Sequence, residues 1–118
     1  MKTSAGFNKV LLERTINAGI GPSALRNQGS KNVVGRARAY LNTVDYRAFS
    51  TMDQETFKKT LDNHTESLRK RLPAGAKNWG AARKALNLVL RDILYNQYLQ
   101  REYGFNRIGK WLELPLDS

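Results

Sequence analysis

The stretch Lys77–Tyr103, KNWGAARKALNLVLRDILYNQYLQREY, sets the architecture. It contains no proline and one early glycine, Gly80, and it is rich in strong helix formers, so it predicts one long helix. From Ala81 to Leu99 its apolar residues run almost all the way round, through Ala82, Leu86, Val89, Leu90, Ile93 and Leu94. A helix that is apolar on nearly every side is buried, with other elements packed around it. The expected architecture is therefore all-α: a single compact bundle of four to five helices around a central buried helix at about residues 77–103, with residues 1–118 forming one helical domain.

The segments before this helix supply its wrapping. Residues 5–18 suit a helix with Phe7, Val10, Leu11 and the stem of Arg14 on one face and Ser4 as cap, ended by Gly19 and Gly21–Pro22. Residues 20–30 form a connector. A second helix is expected from about Lys31 to Asn42, capped by Ser30, with Val33, Val34, Ala37, Tyr40 and Leu41 at core spacing. Thr43–Phe49 reads as a bend anchored by Phe49. Ser50 and Thr51 each pair with a residue three positions on, Asp53 and Gln54, and so resemble the start of a third helix. That helix carries the stripe Phe57, Leu61, Leu68 and Leu72 and stops at Pro73 and Gly75. Gly104 ends the central helix. A final short helix is expected over Asn106–Leu114, burying Ile108, Trp111 and Leu112.

Composition bounds the chemistry. The 118 residues are 41% hydrophobic, enough for a core. Cysteine is absent, which excludes disulfides, thiolate metal sites and cysteine nucleophiles. No apolar run approaches the roughly 20 residues of a membrane span, and the N-terminal residues lack the long apolar core of a signal peptide. The expectation is a soluble, cytoplasmic protein with no membrane partner. The single histidine, His64, has no second ligand at metal spacing, and no phosphate loop, nucleophile elbow or carboxylate pair is visible, so neither metal nor cofactor is expected.

The charge is the most informative quantity. Twenty Lys and Arg stand against ten Asp and Glu, a formal net charge of +10. A field of that size on a small domain attracts polyanions. The bases are also segregated. Between Glu13 and Asp45 there is no acid, and that window holds Arg14, Arg26, Lys31, Arg36 and Arg38. Between Glu66 and Asp92 there is again none, and that window holds Arg69, Lys70, Arg71, Lys77, Arg83, Lys84 and Arg91. Such windows predict a basic face suited to phosphates, with Arg26, Lys31, Arg36, Arg38, Arg69, Lys70, Arg71, Lys77, Arg83 and Lys84 as its candidate residues. The Arg26-Asn27-Gln28-Gly29 turn is a further anion-binding candidate. On the central helix, Lys84, Asn87, Arg91, Tyr95, Tyr98 and Glu102 follow steps of three and four. This stripe is either the solvent face of a wrapped helix or the lining of a groove in which Asn87, Arg91, Tyr95 and Tyr98 meet a ligand.

The tail Leu114-Pro115-Leu116-Asp117-Ser118 resembles the end of the helix-hairpin-helix motif of DNA glycosylases, over five residues, with Phe105–Trp111 in the place of the hairpin. In that family an aspartate followed by Ser or Thr acts on an extruded base, so the resemblance implies such a role for Asp117 in a truncated protein of that kind. The leading expectation from the residues themselves is a small basic binding module for DNA or RNA. The alternative is a protein-binding adaptor or inhibitor, for example phage-encoded, that docks on an acidic or nucleoprotein partner. In either case Trp79, Phe105 and Trp111 are expected in the core.

Overall fold

A computed structural model describes residues 2–21, 31–73 and 78–112. Among these are five α-helices and no strand: α1 (Lys2–Gly19), α2 (Lys31–Leu41), α3 (Gln54–Arg71), α4 (Trp79–Tyr95) and α5 (Gln97–Tyr103). Two 3-10 turns, Tyr46–Thr51 and Gly109–Trp111, complete them.

The all-α bundle is as expected, and α4 is its post. It packs against α1, α2, α3 and α5, and Ala82, Ala85, Leu86, Val89, Leu90 and Ile93 are all buried. Each fully buried leucine, valine or isoleucine contributes about 1.5–3 kcal/mol of transfer free energy. That is why the most apolar helix takes the centre. Asn78 starts it, its side chain accepting from the Ala81 N–H at 3.0 Å.

The long helix expected over 77–103 is, however, two helices. Asn96 interrupts it with extended backbone. Its Oδ1 accepts from the N–H groups of Tyr98 and Leu99, both at 3.0 Å. Asparagine is a mediocre helix-interior residue and an excellent N-cap, so the chain trades one turn of α4 for a capped α5. The new direction buries Leu99 completely. Gly104 then closes α5 at φ +71°, and a Cβ there would stand 2.7 Å from Ser50 Cβ, so only glycine fits the turn.

Three other expectations need correction. On α1 the buried face is Asn8, Leu12 and Ile16, continued by Ile20, whereas Phe7 and Val10 point to solvent. Gly19 explains how closely this face docks, because a Cβ there would meet the Asp92 carboxylate of α4 at 2.6 Å. Ser50 and Thr51 do not cap α3. They belong to the first 3-10 turn, and Asp53 is the cap, accepting from the Thr56 N–H at 2.7 Å. That hydrogen bond, first among the causes, holds the Asp53 carboxyl below its ordinary range. Of the segment expected as a helix over 106–114, the described residues 106–112 are a run of turns with a 3-10 turn at 109–111. Phe105 and Ile108 are fully buried in it, and Trp111 is half-buried.

Phe49 does anchor the bend. It is fully buried among the rings of Tyr46, Phe57, His64 and Phe105, with centroids 5.5–6.4 Å apart. Tyr46 secures the same bend by donating its hydroxyl to the Leu41 carbonyl at 2.6 Å, and burial raises its phenol well above the usual range.

His64, on α3, faces this cluster and Tyr40. Its Nδ1 lies 2.6 Å from the Tyr40 hydroxyl, and partial burial lowers its pKa below the ordinary 6.5. A base with a depressed folded-state pKa takes up its proton first in the unfolded chain. The stability it confers is therefore complete above the unfolded value and is lost as pH falls from about 6.5 through the lower folded value. The wild type should show a melting temperature that declines as pH falls from about 6.5, and His64→Gln should flatten that part of the curve. A wild-type profile identical to that of the variant over this interval would contradict this assignment.

Candidate nucleic-acid interface

The ten cations picked out by sequence fall into three groups. Arg26 and Lys77 lie outside the described residues, as does the Arg26–Gly29 turn, and Lys31 opens α2 with its side chain outside them. The tail with Asp117 lies outside them too.

The second group is engaged within the protein. Arg38 donates from Nε to the Ile20 carbonyl at 2.8 Å, placing its charge at the negative end of α1. Arg69 pairs with Glu66 one turn earlier, with Nε 3.1 Å from one carboxylate oxygen. This hydrogen bond lowers the Glu66 carboxyl and raises the Arg69 guanidinium. Arg83 is buried. Its guanidinium donates to Asp62 at 2.8 Å and to Thr65 Oγ1 at 3.0 Å, and it lies 4.9 Å over the Trp79 ring. Trp79 remains 45% exposed, so it is a lid on this pair and not a core residue. Arg83 thus ties α4 to α3 from inside, and its place on an outward basic face is corrected.

The third group is exposed: Arg36, Lys70, Arg71 and Lys84. The ion pairs Arg47–Glu102, Arg69–Glu66, Arg83–Asp62 and Arg91–Asp92 engage other cations, and among the described residues none involves these four. Three of them lie on α2 and α3, which pack against each other. The Arg71 guanidinium lies 5.2 Å over the ring of Tyr40. Arg36 is one helical turn before Tyr40 on α2, and Lys70 adjoins Arg71 in the last turn of α3. Lys84 projects from α4. The acids that precede Lys70 and Arg71 on α3, Asp62 and Glu66, are already held by Arg83 and Arg69. Lys70 and Arg71 thus remain exposed cations at the end of α3, with the two acids before them on the helix already paired.

The stripe along the central helix does not form one groove. The break at Asn96 puts Tyr95 and Tyr98 on different helices, both exposed. Arg91 pairs with its neighbour Asp92 at 3.0 Å, and Asn87 is half-buried on α4. Glu102 faces α1, where it accepts from Asn8 Nδ2 at 2.9 Å and pairs with Arg47. The Arg47 hydrogen bond, then that of Asn8, lowers its carboxyl.

One surface feature escaped sequence reasoning. Phe7 and Tyr98, 59% and 53% exposed, meet edge to face across α1 and α5, with centroids 6.3 Å apart at 85°. The spacing Asn8, Leu12, Ile16, Ile20 was the available signal that α1 turns a face other than that of Phe7 inward.

No group of His, Asp and Glu among the described residues can hold a metal ion, and no described helix is long and apolar enough to cross a membrane. Comparison with family models, curated proteins and solved structures gives no match.

Proposed function

We propose that this protein is a small basic helical module that binds nucleic acid through phosphate contacts, with Arg36 on α2 and Lys70 and Arg71 at the end of α3 as its centre and Lys84 on α4 as a further contact. The observation that carries this is Arg71 over Tyr40, itself one turn from Arg36, with Lys70 adjoining Arg71, in a chain of net charge +10. Lys70 and Arg71 also complement the negative end of the α3 dipole. That role needs no second helix, and Arg36 on α2 is not explained by it. A guanidinium resting on a tyrosine ring is held in place without losing its charge, so it remains able to meet an oxyanion.

Phosphate binding of this kind releases counterions, and the logarithm of affinity falls linearly with the logarithm of salt concentration. Replacing Arg36, Lys70 and Arg71 together by alanine should reduce the steepness of that line by about three, roughly one for each phosphate no longer neutralised. Affinity should fall for all sequences alike. Anisotropy titrations of labelled DNA and RNA over a range of salt concentrations measure it. An unchanged slope in the triple variant, or no binding by the wild type at low salt, would contradict the proposal.

A further inference from the structure

An open cavity of about 490 Å³ lies between α1 and α5, lined by Phe7, Asn8, Arg47, Tyr98, Arg101 and Glu102. This is within the size range of small-ligand sites, about 300–1,000 Å³. Its polar members are already organised. Asn8 is buried and donates to Glu102. Arg47 pairs with the same carboxylate, donates to the Glu102 carbonyl, and lies 5.2 Å over the Tyr103 ring. The one acid of the cavity is thus neutralised by a fixed guanidinium. Arg101 stands exposed with no ion pair among the described residues.

Two exposed rings beside a neutralised carboxylate and a further cation form a surface for a flat aromatic group that carries negative charge. Neither ring is needed by the core, because α1 already buries Leu12 and Ile16 and α5 buries Leu99. The net charge of +10 selects further, favouring a polyanionic ligand over a basic or neutral one. We infer that this cavity stacks an unpaired base of a single-stranded nucleic acid on the Tyr98 ring, with Phe7, at 85° to it, bounding the base at its edge and Arg101 taking an adjoining phosphate. The inference rests on the proposed function and adds the ligand class to it. In a duplex the base faces are already stacked on one another, so only a single strand can offer one to the Tyr98 ring.

The test compares three labelled nucleic-acid probes at low salt, oligothymidylate, an abasic strand of the same length and a duplex, with a polyglutamate peptide alongside. The abasic strand keeps the phosphates and lacks the bases. Oligothymidylate should bind about tenfold or more tightly than the abasic strand, the effect expected of one stacked base. Tyr98→Ala should remove most of that preference. Tyr98→Phe should keep it, because the ring and not the hydroxyl stacks. Equal affinity of the wild-type protein for the two single strands overturns the inference while leaving phosphate binding intact, and this comparison needs no variant to fold. A base preference that survives Tyr98→Ala overturns the cavity as its source. Failure of all three probes removes the proposed function, and this inference with it. Tighter, Tyr98-dependent binding of a polyglutamate peptide overturns it in favour of a protein partner.

Discussion

Phe49→Ala should lower the free energy of unfolding by about 3–5 kcal/mol, the cost of removing a phenyl ring from a packed core. Phe49 is fully buried, and it is where the first 3-10 turn, α3 and the segment after α5 converge. Its ring stacks near that of Tyr46 and meets Phe57 and Phe105 edge-on, an arrangement in which each aromatic pair adds to simple burial. Three separate parts of the chain would have to shift to fill the cavity, so relaxation can recover little. Domains of ordinary stability have about 5–15 kcal/mol in hand, so the variant should be close to unfolding at moderate urea concentrations. Phe7→Ala is the matched control. The same ring type is mostly in solvent there and has the Tyr98 ring as its aromatic neighbour, so the destabilisation should stay within about 1 kcal/mol. Equal urea midpoints for the two variants would contradict the packing described for both residues.

Arg83→Ala, a change to a charged residue, should also be strongly damaging, at about 2–3 kcal/mol. Removing one member of a buried ion pair costs about 3–5 kcal/mol when the partner is left stranded. Here the partner is not fully stranded. The Asp62 side chain is half-exposed and can be resolvated, and Thr65 keeps its own donation to the Leu61 carbonyl at 2.8 Å. The variant forfeits the charge-assisted hydrogen bonding, the packing on Trp79 and the buried stem. Arg83→Met retains much of the stem and should recover part of the stability. The same variants separate two roles for Arg83. As an internal tie, its removal lowers stability and leaves oligonucleotide affinity of the folded protein nearly unchanged. As a phosphate ligand, its removal would leave stability alone and weaken binding. Urea unfolding and anisotropy on the same preparation distinguish these outcomes.

Arg83 also shows where sequence reasoning stops. The acid-free windows are real, but the distance along the chain to an acid does not measure the distance in space. Asp62 lies twenty-one residues from Arg83 and reaches it because α3 and α4 pack side by side. The same holds for Arg47 and Glu102, fifty-five residues apart. Local patterns are more informative. The apolar circuit of residues 81–93 identifies the central helix, because that many apolar side chains can be satisfied only by complete wrapping. The stripe on α3 is legible for the same reason, with Phe57, Leu61, Leu68 and Leu72 all buried.

Where two local preferences compete, periodicity misleads. Tyr95, Asn96 and Gln97 can continue a helix, but the Asn96 side chain satisfies two N–H groups only if the helix breaks. On α1, Phe7 and Val10 outrank Asn8 in apolarity, yet Asn8 goes inside because Glu102 supplies its hydrogen bond. The step of four through Leu12, Ile16 and Ile20 marks that face locally, but the partner that lets an asparagine share it is ninety-four residues away.

The proposed phosphate binding by α2 and α3 can be tested residue by residue with an amide proton–nitrogen correlation spectrum of the isotope-labelled protein, titrated with a short oligonucleotide at low salt. Perturbations should begin at residues 36–40 and 69–71, with Lys84 following, and should vanish on addition of salt. Perturbations that avoid these residues of α2 and α3, or a spectrum that does not change at saturating oligonucleotide, would contradict a nucleic-acid interface there.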